Sequence, residues 1–519
     1  MLLLLLPRLP ISDNTQFVLG VTACLVVVVA ITQAYRPRSK NGFHLPPSPP
    51  NRRLMGHSLP PRNPFLTVAE WIDEYGPLIT IRAATEKVVI IGRYKAVVDI
   101  MEKQGGMLAD RPPMNAGQML TGGLFISLAG IGDRFRRMRS RSYASPTKAA
   151  EAYQPLQMSF AKNTVLNILD DPSNFHNHVL SYAVMTILKV AYGKNTPTSA
   201  TDPEVREIRQ FMNVFTTIVR PGTYWVDTIP WLRYLPWYGR ELKRGFENSQ
   251  KVYSSHMNRL KQELQSNVDV GHSFGRYVLE NEHLLGLSEL EAHFLPANIF
   301  AAGLDTSQTV ATICTVLMAA ACFPEEQAKV QAELDEVVGR YRAPTFADRQ
   351  SLPLLHAFIS EAFRWRPVTP NGFPHRTTED VIWENYCIPA GTTVLGSNWA
   401  ISRDSEVYPD PDVFKPQRWI NDQGGLRDDL TFFIYGFGRR VCPSIHLANR
   451  SVWINSALLF WAFQLTLDPT KPLNDMGFMV TPHIPCHIVF TPRILDAEIR
   501  GIMDIYPEVN SDRAVAMSV

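Results

Sequence analysis

Tyr435–Cys442 reads YGFGRRVC, and the fold turns on it. Gly436 and Gly438 permit a tight turn and let something flat approach the backbone. Arg440 supplies a planar fork for carboxylates. Cys442 is followed by Pro443 and the apolar run Ile445–Phe463. Proline suits the first helical position, so Cys442 is expected at a helix N-terminus, where exposed N–H groups and the helix dipole favour a thiolate. The other cysteines are Cys24, Cys314, Cys322, Cys387 and Cys486; none forms a CxxC pair, which argues against a zinc ribbon. Cys24, Cys314 and Cys322 lie in apolar stretches and read as core residues. The competing reading of Cys442 is a structural Gly-Arg turn before a buried cysteine.

The rest of the chain says what kind of body carries this turn. It has 519 residues, 51 Lys and Arg against 49 Asp and Glu, and a net charge of +2. Apolar residues are 45% and charged residues 19%, which excludes a mainly disordered, collagen-like or disulfide-dense chain. The near-neutral balance argues against a polyanion binder, so no nucleic-acid partner is expected. Ile79–Arg82 and Lys87–Ile91 are β-branched runs that read as a hairpin. Helical patterns dominate from Val97 to Arg366. They include Asn163–Val190, Pro203–Val219, Glu241–Leu264 and a long helix over Ser288–Cys322. Ser288 and Glu291 form a capping box at its start, and Pro296 should kink it or move its start later. Glu325–Val338 and Leu354–Arg364 follow, then short strands at Val381–Trp383, Thr392–Leu395 and Ile488–Thr491. The fold class expected is mainly α with a small β portion.

Phe17–Tyr35 carries no charge over 19 positions, long enough to span a bilayer at about 1.5 Å per residue. Arg36, Arg38 and Lys40 follow, which puts the body on the cytoplasmic side. A cleaved signal peptide is the rival reading. The expected organisation is a membrane anchor with its basic flank over 1–40, a proline-rich hinge over 41–62, one helix-rich catalytic domain over 63–495 and a tail over 496–519. Pro221–Gly239, PGTYWVDTIPWLRYLPWYG, holds three tryptophans and three tyrosines, fit either for core or for a membrane interface.

Three further segments carry chemistry. Glu361–Arg364, EAFR, puts an acid and a base on one helix face; alone it reads as an exposed ion pair. Phe414–Trp419, FKPQRW, offers Arg418 as a third charged partner. Ala302–Thr306, AGLDT, puts an acid inside an apolar helix, which is costly unless it works or is paired. Gly303, Asp305 and the Thr306 hydroxyl read together as a notch for a small ligand and its protons; a kinked core helix is the alternative. The thiolate turn itself suits axial ligation of haem iron.

The combination, in the order AGLDT, EAFR, FKPQRW, YGFGRRVC, resembles the cytochrome P-450 family of haem-thiolate monooxygenases, from the anchor to about Pro492. The resemblance implies the fold of that family and haem b with Cys442 as axial thiolate on the iron. It implies Arg440, Arg139 and His375 as propionate partners, with Gly436 and Gly438 in the haem loop. It makes Glu361, Arg364 and Arg418 a structural triad, and Asp305 with Thr306 the catalytic oxygen-activating and proton-delivering pair. Pocket walls are expected from Gly105–Phe125, Phe300–Thr306, Pro370–Pro374 and Gly477–Thr481. Departures from the family pattern are Tyr435 for phenylalanine, Phe135 for tryptophan, Ser444 and Ser48 for glycine, and Gln417 for glutamate.

YWVDTIPWLRYLP, FRWRPVTP and WAISRDSEVYPDPDVFKPQRW are similar to fungal secondary-metabolism members, whose substrates are terpenoids, polyketides and alkaloids. No GxGxxG fingerprint for a flavin or nicotinamide domain appears. Electrons are therefore expected from a separate NADPH–cytochrome reductase, with the basic Arg134–Arg141 cluster as a docking face. The expected substrate is a small apolar molecule, and the expected location is the endoplasmic reticulum membrane, single-pass, with the body in the cytoplasm. The alternatives are a haem-thiolate isomerase or dehydratase that needs no O₂, and a non-enzymatic haem-binding membrane protein.

Overall fold

The computed structural model describes residue 22 and residues 42–50, 56–83, 86–142, 147–194, 196, 202–219, 222–304, 309–480 and 487–506. The anchor run lies outside the described residues apart from Thr22. Among the described residues no single helix is long and apolar enough to cross a membrane.

The helices that matter are α1 (Pro64–Tyr75), α2 (Asn115–Thr121), α3 (Asp133–Ser142), α4 (Gln154–Asp170), α5 (Phe175–Tyr192), α6 (Pro203–Ile218), α7 (Arg240–Gln265), α8 (Glu289–Leu304), α9 (Thr309–Cys322), α10 (Pro324–Val337), α11 (Pro353–Trp365), α12 (Ile445–Ala462) and α13 (Asp496–Asp504). Pro64, Pro203, Pro324 and Pro353 each open a helix, where the missing N–H costs nothing. Val310–Ala321 of α9 are buried on every side, the mark of a central core helix. Around it pack α5, α11 and α12, and α4 lies against α5 and α12.

At the start of α8 the capping box forms as expected. The Ser288 N–H donates to Glu291 Oε2 at 3.0 Å, and the Glu291 N–H donates to Ser288 Oγ at 3.3 Å. The helix begins at Glu289 and runs through Pro296, so the proline does not move its start.

The strands are few. β1 (Leu78–Ala83) and β2 (Glu86–Ile91) form the expected hairpin, with Ile79 opposite Ile90. β2 pairs in parallel with β6 (Thr393–Gly396), and β6 pairs antiparallel with β3 (His375–Arg376). Two further antiparallel pairs lie among the described residues: β4 (Val381–Trp383) with β5 (Tyr386–Ile388), and β7 (Phe463–Leu467) with β8 (Ile488–Pro492). The proline-rich segment packs onto β1, where Thr80 donates its N–H to Pro47 O and its hydroxyl to Pro46 O. At the other end, α13 buries Ile499 and Met503 completely in the main core, so residues assigned to a tail belong to the body.

Candidate active site

The YGFGRRVC turn is held by its own backbone and by the loop after Met101. The Cys442 N–H donates to Tyr435 O at 2.9 Å, and the Gly438 N–H donates to Glu102 Oε1 at 2.8 Å. Gly438 has φ +51°, and a Cβ there would stand 2.5 Å from Met101 O and 3.2 Å from Gly105 Cα. Only glycine allows the two backbones to approach so closely. Gly105, expected in a pocket wall, therefore sits against the Cys442 loop. Gly436, at φ +86°, makes the preceding turn.

The helix after the cysteine begins at Ile445, with Pro443 and Ser444 in a turn and Ser444 as N-cap. Cys442 thus lies ahead of the helix, not at its first turn. Burial pushes its thiol up; the Ser444 N–H and the Arg139 charge draw it back without winning. This corrects the expectation that helix dipole and N–H groups alone hold a thiolate. A metal cation at the sulfur would complete that job, since a coordinating thiol loses its proton.

Next to Cys442 lies a concentration of buried positive charge. Arg440 donates from Nε to Ala109 O (2.5 Å), from Nη2 to Ala129 O (2.8 Å) and from Nη1 to Ile126 O (3.2 Å). Its guanidinium lies 3.7 Å from the Phe135 ring centroid, so phenylalanine replaces the usual indole donor with a cation–π face. Arg139 on α3 donates to Val441 O at 2.7 Å and Arg439 O at 3.2 Å, clamping the chain on both sides of Arg440.

Sequence reasoning missed Arg111. It donates to Ser127 O at 3.0 Å and to Pro374 O, and it lies over Phe373. The available signal was an arginine flanked by Asp110, Pro112 and Pro113 in the loop already named as a wall.

His375, held at the sheet edge by β3, pairs Nδ1 with Leu108 O at 2.9 Å. A carbonyl only accepts, so Nδ1 carries the proton there. Burial, with Arg111 and Arg440 adding to it, pushes His375 down to about 3. Burial also pushes Arg440 down to about 10 and Arg111 well below its usual value; the neighbouring arginines add to both shifts, and Asp110 is the acid that opposes them. Three guanidiniums and an imidazole against one carboxylate fit a ligand bearing two carboxylates, as haem does.

Behind this site the triad assembles as expected, and it is buried rather than an exposed pair. Glu361 accepts from Arg364 Nη2 (2.7 Å) and Nε (2.9 Å), Arg418 Nε (3.1 Å), the Trp419 indole (2.9 Å) and the Lys415 N–H (2.8 Å). Arg364 spends its remaining donors on Ser402 O, Pro411 O and Val413 O. One carboxylate thus ties α11 to the loop that leads toward Cys442.

Asp305 and Thr306 lie outside the described residues. Gly303 is described, and it corrects the notch: a Cβ there would meet Ile187 Cγ1 at 2.5 Å. The glycine serves close packing of α8 on α5. The basic cluster is also partly spoken for. Arg134 and Arg137 pair with Glu291 at 3.1 and 3.5 Å, and Arg136 pairs with Asp133 at 2.5 Å.

Comparison with known proteins agrees with this geometry. The family model described as Cytochrome P450 matches residues 46–488. The chain is 41% identical to Cytochrome P450 monooxygenase 113 of Postia placenta over 489 residues, covering 92% of this chain and 98% of that protein. It is 42% identical to Cytochrome P450 monooxygenase 64 of the same fungus, covering 92% and 96%. Cytochrome P450 monooxygenase ARMGADRAFT_1018420 of Armillaria gallica is 32% identical, covering 94% and 97%. Proteins of this family bind haem through a cysteine thiolate, and the chain belongs to the cytochrome P-450 monooxygenases.

Proposed function

We propose that this monooxygenase oxidises a small apolar molecule of fungal secondary metabolism, a terpenoid, polyketide or alkaloid, while anchored in the endoplasmic reticulum membrane. Its electrons come from a separate NADPH–cytochrome reductase, the kind of partner the family implies. The observation that carries the site assignment is the pairing of Cys442 with the cluster of buried Arg111, Arg440 and His375 and the half-buried Arg139. Cys442 would hold the iron through Sγ, and the cluster would hold the two propionates. The haem, when bound, supplies the oxidising chemistry with O₂. The chain's own part is to orient the substrate, exclude water, and move protons inward through the Asp305 carboxylate and Thr306 Oγ1. Because His375 Nδ1 donates to Leu108 O, its Nε2 can donate to a propionate only when the ring is cationic. A carboxylate beside it favours that form.

Membrane contact is supported by the segment after α6. Trp225, Trp231, Tyr234 and Trp237 are each at least 60% exposed, which argues against a core role for them. The segment is braced from beneath. Val226 is fully buried, its N–H donates to the Tyr238 hydroxyl at 3.0 Å, and the Ala116 N–H at the start of α2 donates to Asp227 at 3.0 Å. Exposed tryptophan and tyrosine on a rigid brace suit the bilayer interface.

Two experiments test the reading. Membranes containing the full chain and a fungal reductase are given NADPH, O₂ and an extract of candidate metabolites; product that forms without NADPH or O₂ refutes it. A chain lacking residues 1–40 should still float partly with liposomes. Flotation unchanged by serine at Trp225, Trp231 and Trp237 would refute the interfacial segment.

A further inference from the structure

The segment Leu124–Ala129, between α2 and α3, contains neither helix nor strand. One side chain of α8 grips it. Asn298 Oδ1 accepts the Ile126 N–H at 2.8 Å, and Asn298 Nδ2 donates to Leu124 O at 3.2 Å. The same Nδ2 donates to Phe294 O at 2.6 Å, one turn back on α8. Carbonyl oxygens only accept and the Ile126 N–H only donates, so the amide cannot be flipped without losing all three bonds. Asn298 thus bonds the main chain on both sides of Phe125.

The bracketed ring is buried against Phe211 and Phe215 of α6, at centroid distances of 5.4 and 5.7 Å, and against Phe294 of α8 at 6.4 Å. The carbonyls that follow seat the arginines of the site. Ile126 O accepts from Arg440 Nη1 at 3.2 Å, Ser127 O from Arg111 Nε at 3.0 Å, and Ala129 O from Arg440 Nη2 at 2.8 Å. Ile126 therefore gives its N–H to Asn298 and its carbonyl to Arg440. The segment also borders a cavity of about 600 Å³, which Gly123, Phe125, Leu128 and Ala129 help to line, so packing does not confine it on every side. Its path is set by the Asn298 amide at one end and the guanidiniums at the other.

We propose that Asn298 is a positioning residue for haem binding: its carboxamide fixes Leu124–Ala129 on α8, and that segment's carbonyls fix Arg440 and Arg111. The inference rests on the reading that these arginines hold the propionates. Asn298 itself need touch neither haem nor substrate. A guanidinium is a rigid fork, so the direction in which its remaining N–H groups point depends on where its carbonyl partners stand. Without the amide, the Ile126 N–H and the Leu124 carbonyl lose their partner, the segment shifts toward the cavity it borders, and the carbonyls under Arg440 and Arg111 move with it. The same grip orients Phe125, so α8 sets the aromatic wall and the arginine seats together.

The test is the rate at which the haem-loaded full chain gives up haem to excess apomyoglobin, followed by absorbance. Asn298→Leu keeps the size and removes the amide, and haem loss should quicken about tenfold, the worth of one or two hydrogen bonds. A change under twofold overturns the inference. A purely structural role is separated by combining the variant with Arg440→Lys, which keeps the charge and loses the fork. If Asn298 acts through the arginine seats, the doubly substituted protein should lose haem at less than half the product of the two single effects. A rate at or above half that product overturns the positioning role. Arg440→Lys with unchanged haem loss overturns the propionate reading and this inference with it; Arg440→Lys quickened while Asn298→Leu stays under twofold overturns this inference alone. Should Asn298→Leu not accumulate, Asn298→Asp carries the same expectations, because its carboxylate still accepts from the Ile126 N–H but has no N–H for Leu124 O or Phe294 O.

Discussion

Glu361→Gln isolates what the buried triad does. The carboxylate accepts five hydrogen bonds, three of them from two guanidiniums, and both Glu361 and Arg364 are fully buried. Glutamine keeps the shape but turns an N–H₂ toward donors and removes the charge that balances Arg364 and Arg418. Breaking a buried pair in this way costs about 3–5 kcal/mol, because a charge is left uncompensated. Unfolding entropy is about 2.1 cal/mol/K per residue, so a chain this long has slightly over 1 kcal/mol/K. The melting midpoint should therefore drop by about 3–5 °C. Since the carboxylate also holds Lys415 and Trp419, haem retention should fall with it. The assay is calorimetry of the haem-loaded protein together with haem per polypeptide after gel filtration. A midpoint within 1 °C of the parent, with full haem content, would refute the claim that this carboxylate holds the fold behind the cysteine.

Four further outcomes can be measured. Cys442→Ser should abolish the ferrous–CO absorption band typical of thiolate ligation; a band kept in full would show that another residue is the ligand. Thr306→Ala should lower product formed per NADPH oxidised and raise free hydrogen peroxide while haem content holds; an unchanged ratio removes Thr306 from proton delivery. Gly438→Ala should cut the yield of haem-loaded protein, because its Cβ would stand 2.5 Å from Met101 O at φ +51°; normal haem content would contradict the close approach. Burial and Arg349 push His356 down to about 4, so it folds neutral, and its contribution is present above about pH 6.5 and lost as pH falls toward 4. His356→Phe should flatten the acid loss of stability over that window by up to about 1.4 kcal/mol per pH unit; parallel curves would rule the histidine out.

What could be read without coordinates was whatever is local. The thiol turn, the β1–β2 hairpin and the capping box are set by residues within a few positions of one another. Other features depend on distant chain. EAFR resembles a surface ion pair until Ser402, Pro411 and Val413 present carbonyls to Arg364. Arg111 gains its place from Ser127 O and Pro374 O, carried by segments that only the fold brings together. Gly303 seemed to open space for a ligand; its actual neighbour, Ile187, is more than a hundred positions earlier. α2, NAGQMLT, is too short and too weakly patterned to announce itself, and its first N–H groups are met by Asp227 from another segment.

The electrostatics of the site make opposite demands at neighbouring points. Around Arg111, Arg139, Arg440 and His375 the chain has gathered positive charge with Asp110 in opposition, and each of Arg111, Arg440 and His375 is pushed toward its neutral form. That cluster calls for anions. At Cys442 burial holds the proton on sulfur, and release of the thiolate calls for a cation. A loose metal ion would answer the second demand and worsen the first; a simple dicarboxylate would do the reverse. One rigid plate with a metal at its centre and carboxylates at its rim answers both. Its binding should therefore take up a proton at His375 as it releases one from Cys442, and the chain's own charge distribution favours the whole cofactor over either of its parts.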